Sequence, residues 1–97
     1  VHIMHWSEVE AMFAGAGAIL SGGGRLMLYG PFNYNNQYTS ESNASFDSWL
    51  KSRDPESGIR NFEDLDKLAQ QAGMLLRYDY EMPANNRILY WEKSRTS

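Results

Sequence analysis

The chain has 97 residues, 42% hydrophobic and 22% charged, which fits a single globular domain able to bury a core. A net charge of −3 and a pI of about 5.2 argue against the basic face of a nucleic-acid binder, and the absence of cysteine excludes a disulfide framework or thiolate metal site. No apolar run approaches the roughly 18 residues of a membrane span, so no membrane partner is expected, and with no signal peptide visible the cytoplasm is the expected compartment.

Val1 to Trp6 is short and apolar and reads as a first strand. Ser7 and Glu10 have the spacing of a capping box. Val9, Met12, Phe13, Ala16, Ile19 and Leu20 follow at helical spacing, so a helix is predicted over 7–20. Gly22-Gly23-Gly24 ends it and leads into Arg25-Leu26-Met27-Leu28-Tyr29-Gly30. The four apolar residues of that run fit a strand covered on both faces.

Residues 33–41 form a polar loop, and Ser42 reads as the cap of a helix over 42–53 with Phe46, Trp49, Leu50 and Arg53 on one face. Pro55 stops it, because the residue before a proline disfavours helical angles. Asp54 to Gly58 is a turn, which an ion pair among Arg53, Asp54 and Arg60 would fix. Asn61 caps a third helix over 61–72, with Phe62, Leu65, Leu68, Ala69 and Ala72 inward. A third strand follows over 74–82, where Leu76, Tyr78, Tyr80 and Met82 alternate with Arg77, Asp79 and Glu81. Pro83-Ala84-Asn85-Asn86 turns the chain, and 87–93 returns as an antiparallel fourth strand. Alternating strands and helices predict an α/β fold: a four-stranded mixed sheet in the order first, second, fourth, third, with three helices and a closing hairpin.

Several segments stand in one order with close spacing: Tyr29-Gly30-Pro31-Phe32, Ser40-Glu41-Ser42-Asn43, Phe46-Asp47, Arg53-Asp54-Pro55-Glu56, Gly58-Ile59-Arg60 and Met82-Pro83-Ala84-Asn85-Asn86. Together they resemble an uncharacterised methyltransferase-like family, a domain of unknown function with a human member called methyltransferase-like protein 26. The resemblance runs from about His5 to Lys93. It implies the C-terminal half of the Rossmann-like, class I methyltransferase fold. It also implies that residues 1–97 are a single truncated domain, in keeping with an opening on Val1 without Met.

For the full-length family the resemblance implies S-adenosylmethionine as cofactor and methyl transfer as reaction. It places the cofactor site on the other half of the sheet, at a glycine-rich turn after the first strand and an acidic residue ending the second. Gly15-Ala16-Gly17 sits inside a predicted helix and Gly22-Gly23-Gly24 precedes a strand, so neither has that context. No cofactor or catalytic residue is therefore assigned to this chain.

Ligands of open α/β sheets bind beyond the carboxyl ends of the strands. Tyr29, Glu41, Asn43, Asn85 and Asn86 converge there in the predicted arrangement. Amides offer two donors and an acceptor each, which suits a polar small molecule. Equally, Asn85-Asn86 suits a turn and Glu41 and Asn43 a helix start. His5 would end the first strand near Tyr29, as a base or as an ordinary strand-end histidine. His2 and His5 alone make a poor metal site. Three functions stay open: a methyltransferase-family half-domain, not catalytic alone; a small-molecule binder using the same sheet edge; and a self-associating module. A homodimer is expected, because one sheet face and the edge of the first strand are left uncovered.

Overall fold

A computed structural model of the chain describes residue 2 and residues 4–20 and 22–94. Three helices and three strands follow in the order α1 (Trp6–Ile19), β1 (Arg25–Gly30), α2 (Glu41–Arg53), α3 (Phe62–Gln71), β2 (Met74–Met82) and β3 (Asn86–Lys93). The last strand lies in the middle: the order is β1-β3-β2, and β3 is antiparallel to both neighbours. Leu28 faces Leu89 and Leu26 faces Trp91, as expected for an inserted final strand.

The predicted first strand over 1–6 is not found among the described residues, which leaves a three-stranded sheet. Val1 and Ile3 lie outside the described residues. His2 is in a turn, Met4 in a bend, and Trp6 already opens α1. The backbone here finds its partners in the 56–60 segment instead of a sheet. Gly58 N–H donates to the His2 carbonyl at 2.7 Å, and the Arg60 guanidinium donates to the Met4 carbonyl at 2.6 Å.

The helix starts also move by two residues. His5 caps α1, and the Glu8 carboxylate reaches back to accept the His5 N–H at 2.9 Å. Ser40 caps α2 by accepting the Asn43 N–H at 3.1 Å. Asn61 does cap α3, but its side chain donates to Asn36 and Asp64 and accepts no helix N–H.

Helices α1 and α3 cover one sheet face. Val9 and Phe13 of α1, Leu65 and Ala69 of α3, and Met74, Leu89 and Trp91 of the sheet form one buried cluster. Each large apolar side chain there contributes about 1.5–3 kcal/mol. Phe13 meets Trp91 edge to face at 5.4 Å. Ile19, expected on this face, is exposed, since two residues past Gly17 is about 200° around a helix. At Gly17 the two helices touch: an added Cβ would lie 2.6 Å from the Ala72 carbonyl oxygen. Lys93 Nζ fills the carbonyl end of both helices, donating to Gly17 O at 2.8 Å and Ala72 O at 3.0 Å.

The opposite face is open. A register shift between Leu76 and Tyr78 turns β2 over, so Asp79 points inward and Tyr78 and Tyr80 outward, against the alternation expected from sequence. Met27, Tyr29, Leu75, Tyr78 and Tyr80 are all exposed. Among the described residues no helix is long and apolar enough to cross a membrane.

Candidate functional site

Beyond Gly30 the chain runs through buried Phe32 to Asn33, which is tied to the start of α3. Asn33 N–H donates to Arg60 O at 2.9 Å, and Phe62 N–H donates to Asn33 O at 2.7 Å. A tight turn follows, with Asn35 and Asn36 at φ of 54° and 60° and reciprocal bonds between Tyr34 and Gln37. Tyr34 anchors it to the sheet by donating to Asp79 at 2.7 Å, and Arg87 holds the same carboxylate at 2.7 Å. Burial, then the Asp79 carboxylate, raises the Tyr34 phenol well above its ordinary range, so it stays a donor.

Helix α2 buries Asn43, Asp47 and Leu50, so of the face expected from sequence only Leu50 is buried. Phe46, Trp49 and Arg53 form an outward stack: the two rings lie 6.0 Å apart and nearly parallel, and the Arg53 guanidinium sits 4.9 Å over Trp49. Asp47, 1% exposed, is the hub of this end. It accepts from the Tyr38 hydroxyl, the Ile59 N–H at 2.8 Å and Lys51 Nζ at 3.0 Å. Burial alone would raise its carboxyl, but these three partners hold it below its ordinary value. Gly58, at φ 146°, passes so close that a Cβ would sit 2.6 Å from Asp47 Oδ1.

The 83–86 turn closes the site. Ala84 and Asn85 hold φ of 63° and 60°, a region that costs a residue with a Cβ about 1–2 kcal/mol. The turn sends Asn86 back over β1, where its amide donates to the Tyr29 hydroxyl at 3.2 Å and to Pro83 O at 3.3 Å. Asn43, 5% exposed, donates to Thr39 Oγ1 at 3.0 Å and to Asn85 O at 3.5 Å, tying α2 to the same turn.

Between these elements lies a cavity of about 450 Å³, within the range of small-molecule sites. His2, Tyr29, Ser42, Asn43 and Asn86 give it polar groups; Pro31, Phe46 and Ala84 give it apolar surface. No charged side chain lines it. Burial lowers the His2 imidazole, which is therefore neutral near pH 7.

Three residues named from sequence thus line one cavity: Tyr29, Asn43 and Asn86. Asn85 faces an adjoining hollow of about 400 Å³ with Thr39, Glu81 and Arg87. Glu41 lines a third, shallower one along the 36–44 loop.

His5 belongs to none of them. Its Nε2 lies 2.6 Å from Asp54 and its Nδ1 3.3 Å from Glu56. The hydrogen bond to Asp54 raises its pKa, and opposite ring nitrogens facing two carboxylates suit a protonated imidazole better than a shared ion. Asp54 is therefore taken, and the expected ion pair with Arg53 and Arg60 does not form. Arg60 instead donates to Met4 O and Glu56 O at 2.6 Å and lies over the Trp6 ring. Sequence reasoning missed His2 and Phe46 as cavity residues. It also missed a role for Asp47, although Phe46-Asp47 is one of the segments that carry the family resemblance and Asp47 lies one helical turn from Asn43 and Leu50.

Solved structures with this arrangement include O-methyltransferase family proteins. One from Burkholderia thailandensis superposes with a TM-score of 0.80 at 14% identity, over 99% of this chain and 28% of that one. An O-methyltransferase family 2 protein from Planctomyces limnophilus, solved in complex with apigenin, gives 0.83 at 18% identity, over 95% and 28%. CalO1, a methyltransferase in calicheamicin biosynthesis solved in its SAH-bound form, gives 0.75 at 12% identity, over 96% and 27%. The fold is thus methyltransferase-like, and the chain spans little more than a quarter of the length of these proteins. Within that class, residues 1–93 match a family described as protein of unknown function (DUF938), and the chain belongs to it.

Proposed function

We propose that these residues form the acceptor-binding end of a methyltransferase-type domain and neither hold S-adenosylmethionine nor transfer methyl groups by themselves. The observation that carries this is the cavity at the carboxyl end of β1, where α2 and the 83–86 turn meet Tyr29. That is where ligands of α/β sheets sit. The glycines present do not fit the cofactor. Gly17 is spent on the contact with Ala72, and Gly24 leads into a strand rather than a helix. The kinship with human methyltransferase-like protein 26 and a cytoplasmic setting belong to the same reading.

Calorimetry of the 97-residue chain with S-adenosylmethionine tests it. No heat of binding is expected, and micromolar affinity would overturn the cofactor half of the reading. A small-molecule screen tests the rest: binders should weaken in Tyr29→Phe and Asn86→Ala with folding unchanged. Ligands seated at the far end of the sheet would contradict it.

A second reading, self-association, rests on the open sheet face of Met27, Tyr29, Leu75, Tyr78 and Tyr80. A second copy meeting this face about a two-fold axis would cover it on both copies at once. Light scattering at micromolar concentration should then report about twice the 11.1 kDa chain mass. A monomer would remove this reading.

A further inference from the structure

Hydrogen-bond accounting around the cavity narrows its ligand. Asn43 directs its amide nitrogen at Asn85 O and Asn86 directs its own at Pro83 O. A carbonyl only accepts, so these partners fix which end of each amide is nitrogen. The second bonds, to Thr39 Oγ1 and the Tyr29 hydroxyl, use the remaining donor capacity. Both amide oxygens are left with no partner among the described residues. Both residues line the cavity, so a molecule bound there can serve these acceptors in place of water.

Shape and charge add two constraints. Phe46 is backed by the nearly parallel Trp49 ring, and His2 meets it at 5.4 Å with the rings tilted by 60°, so the flat aromatic surface is that of Phe46. The lining contains no cation to balance an anion and no carboxylate to balance a cation. A charged ligand would therefore gain no ion pair from the lining in exchange for the hydration it gives up.

We infer that the cavity takes an uncharged, planar molecule bearing at least two N–H or O–H donors, its flat body on Phe46 and its donors on the oxygens of Asn43 and Asn86. This rests on the acceptor-site reading above and goes further by naming the ligand's chemistry. The Tyr29 hydroxyl, which accepts from Asn86, keeps its own proton for an acceptor on the ligand.

The test compares three probes of one shape on the 97-residue chain: 2,3-dihydroxynaphthalene, its dimethyl ether, and 2-naphthoate. Affinity is read by calorimetry and location by backbone amide shifts. The diol should bind with shifts at 42–46 and 84–86, and the ether and carboxylate should be weaker by about tenfold, the scale of one lost hydrogen bond. Phe46→Ala and Asn86→Ala should each weaken the diol by about tenfold. Asn86 is half-exposed, so its variant keeps the test valid if Asn43→Ala fails to fold. An ether as tight as the diol overturns the donor argument, and an equally tight naphthoate overturns the neutrality argument. Binding of none of the three overturns the inference outright. A neutral non-planar compound that shifts 42–46 and 84–86 would sink the planar ligand while leaving the acceptor site standing. Shifts confined to another surface would sink both.

Discussion

On the α1–α3 side of the sheet the fully buried side chains are Val9, Phe13, Leu65, Ala69, Met74, Leu89 and Trp91. Around α2 the buried set includes Asn33, Asn43, Asp47 and Ser57, and every buried polar side chain described falls in this stretch. Apolar packing is non-directional: it holds two helices on a sheet but fixes few angles. A buried amide or carboxylate must meet its partners at set distances and directions, so it specifies geometry at the cost of desolvation. The directional chemistry is concentrated around the cavity, where the relative placement of loop, helix and hairpin decides what can bind.

The contrast can be broken from either side. Phe13→Ala should have the largest effect, destabilising the whole chain by about 3–5 kcal/mol in urea denaturation, with all probes unfolding together. Asp47→Ala should cost about 1–3 kcal/mol, because the Ile59 N–H and the Tyr38 hydroxyl lose their acceptor. Its signature should be local: amide exchange should rise at 38–40 and 57–59 while 65–69 stay protected.

Acid sharpens the same point. Asp47 titrates lower when folded than when unfolded, so its stabilisation is complete above the unfolded pKa, about 4, and is lost as pH falls through the lower folded value. Exchange around α2 should therefore rise below about pH 4, and that pH dependence should be absent in Asp47→Ala. Uniform acid loosening of both regions would refute the division. Gly58→Ala should cost about 1–3 kcal/mol through its φ and its clash with Asp47. Smallest of all, Leu75→Thr on the open face should change stability by no more than about 0.5 kcal/mol in the monomer.

The same contrast separates what could be read from sequence. Val9, Phe13, Leu65 and Ala69 were legible because apolar residues at helical spacing mark a core, and the insertion of β3 between its predecessors followed from the family resemblance. The α2 face was not legible. Periodicity favours Phe46 and Trp49 over Asn43 and Asp47, because it scores apolarity and not hydrogen-bond partners, and Trp49 is half-exposed. The outward turn of Tyr78 and Tyr80 was hidden for another reason: one bulged residue inverts a strand, and the sequence around Arg77 carries no mark of it. The segment 1–6 was misread because its apolar run does not reveal that its carbonyls are claimed by Gly58 and Arg60. Tyr29, Asn43 and Asn86 were found because a strand end and a turn are local features; His2 needed the tertiary fold.

The central position of β3 has a consequence for synthesis. Neither β1 nor β2 has a sheet partner among the described residues other than β3, the last strand in the chain. On the ribosome, everything up to residue 85 emerges as helices and two strands that cannot pair with each other in the final arrangement. Pairing of β1 and β2 with β3 then waits for the 86–93 segment. Until it arrives both strands lack this partner, an opening for chaperones and for aggregation.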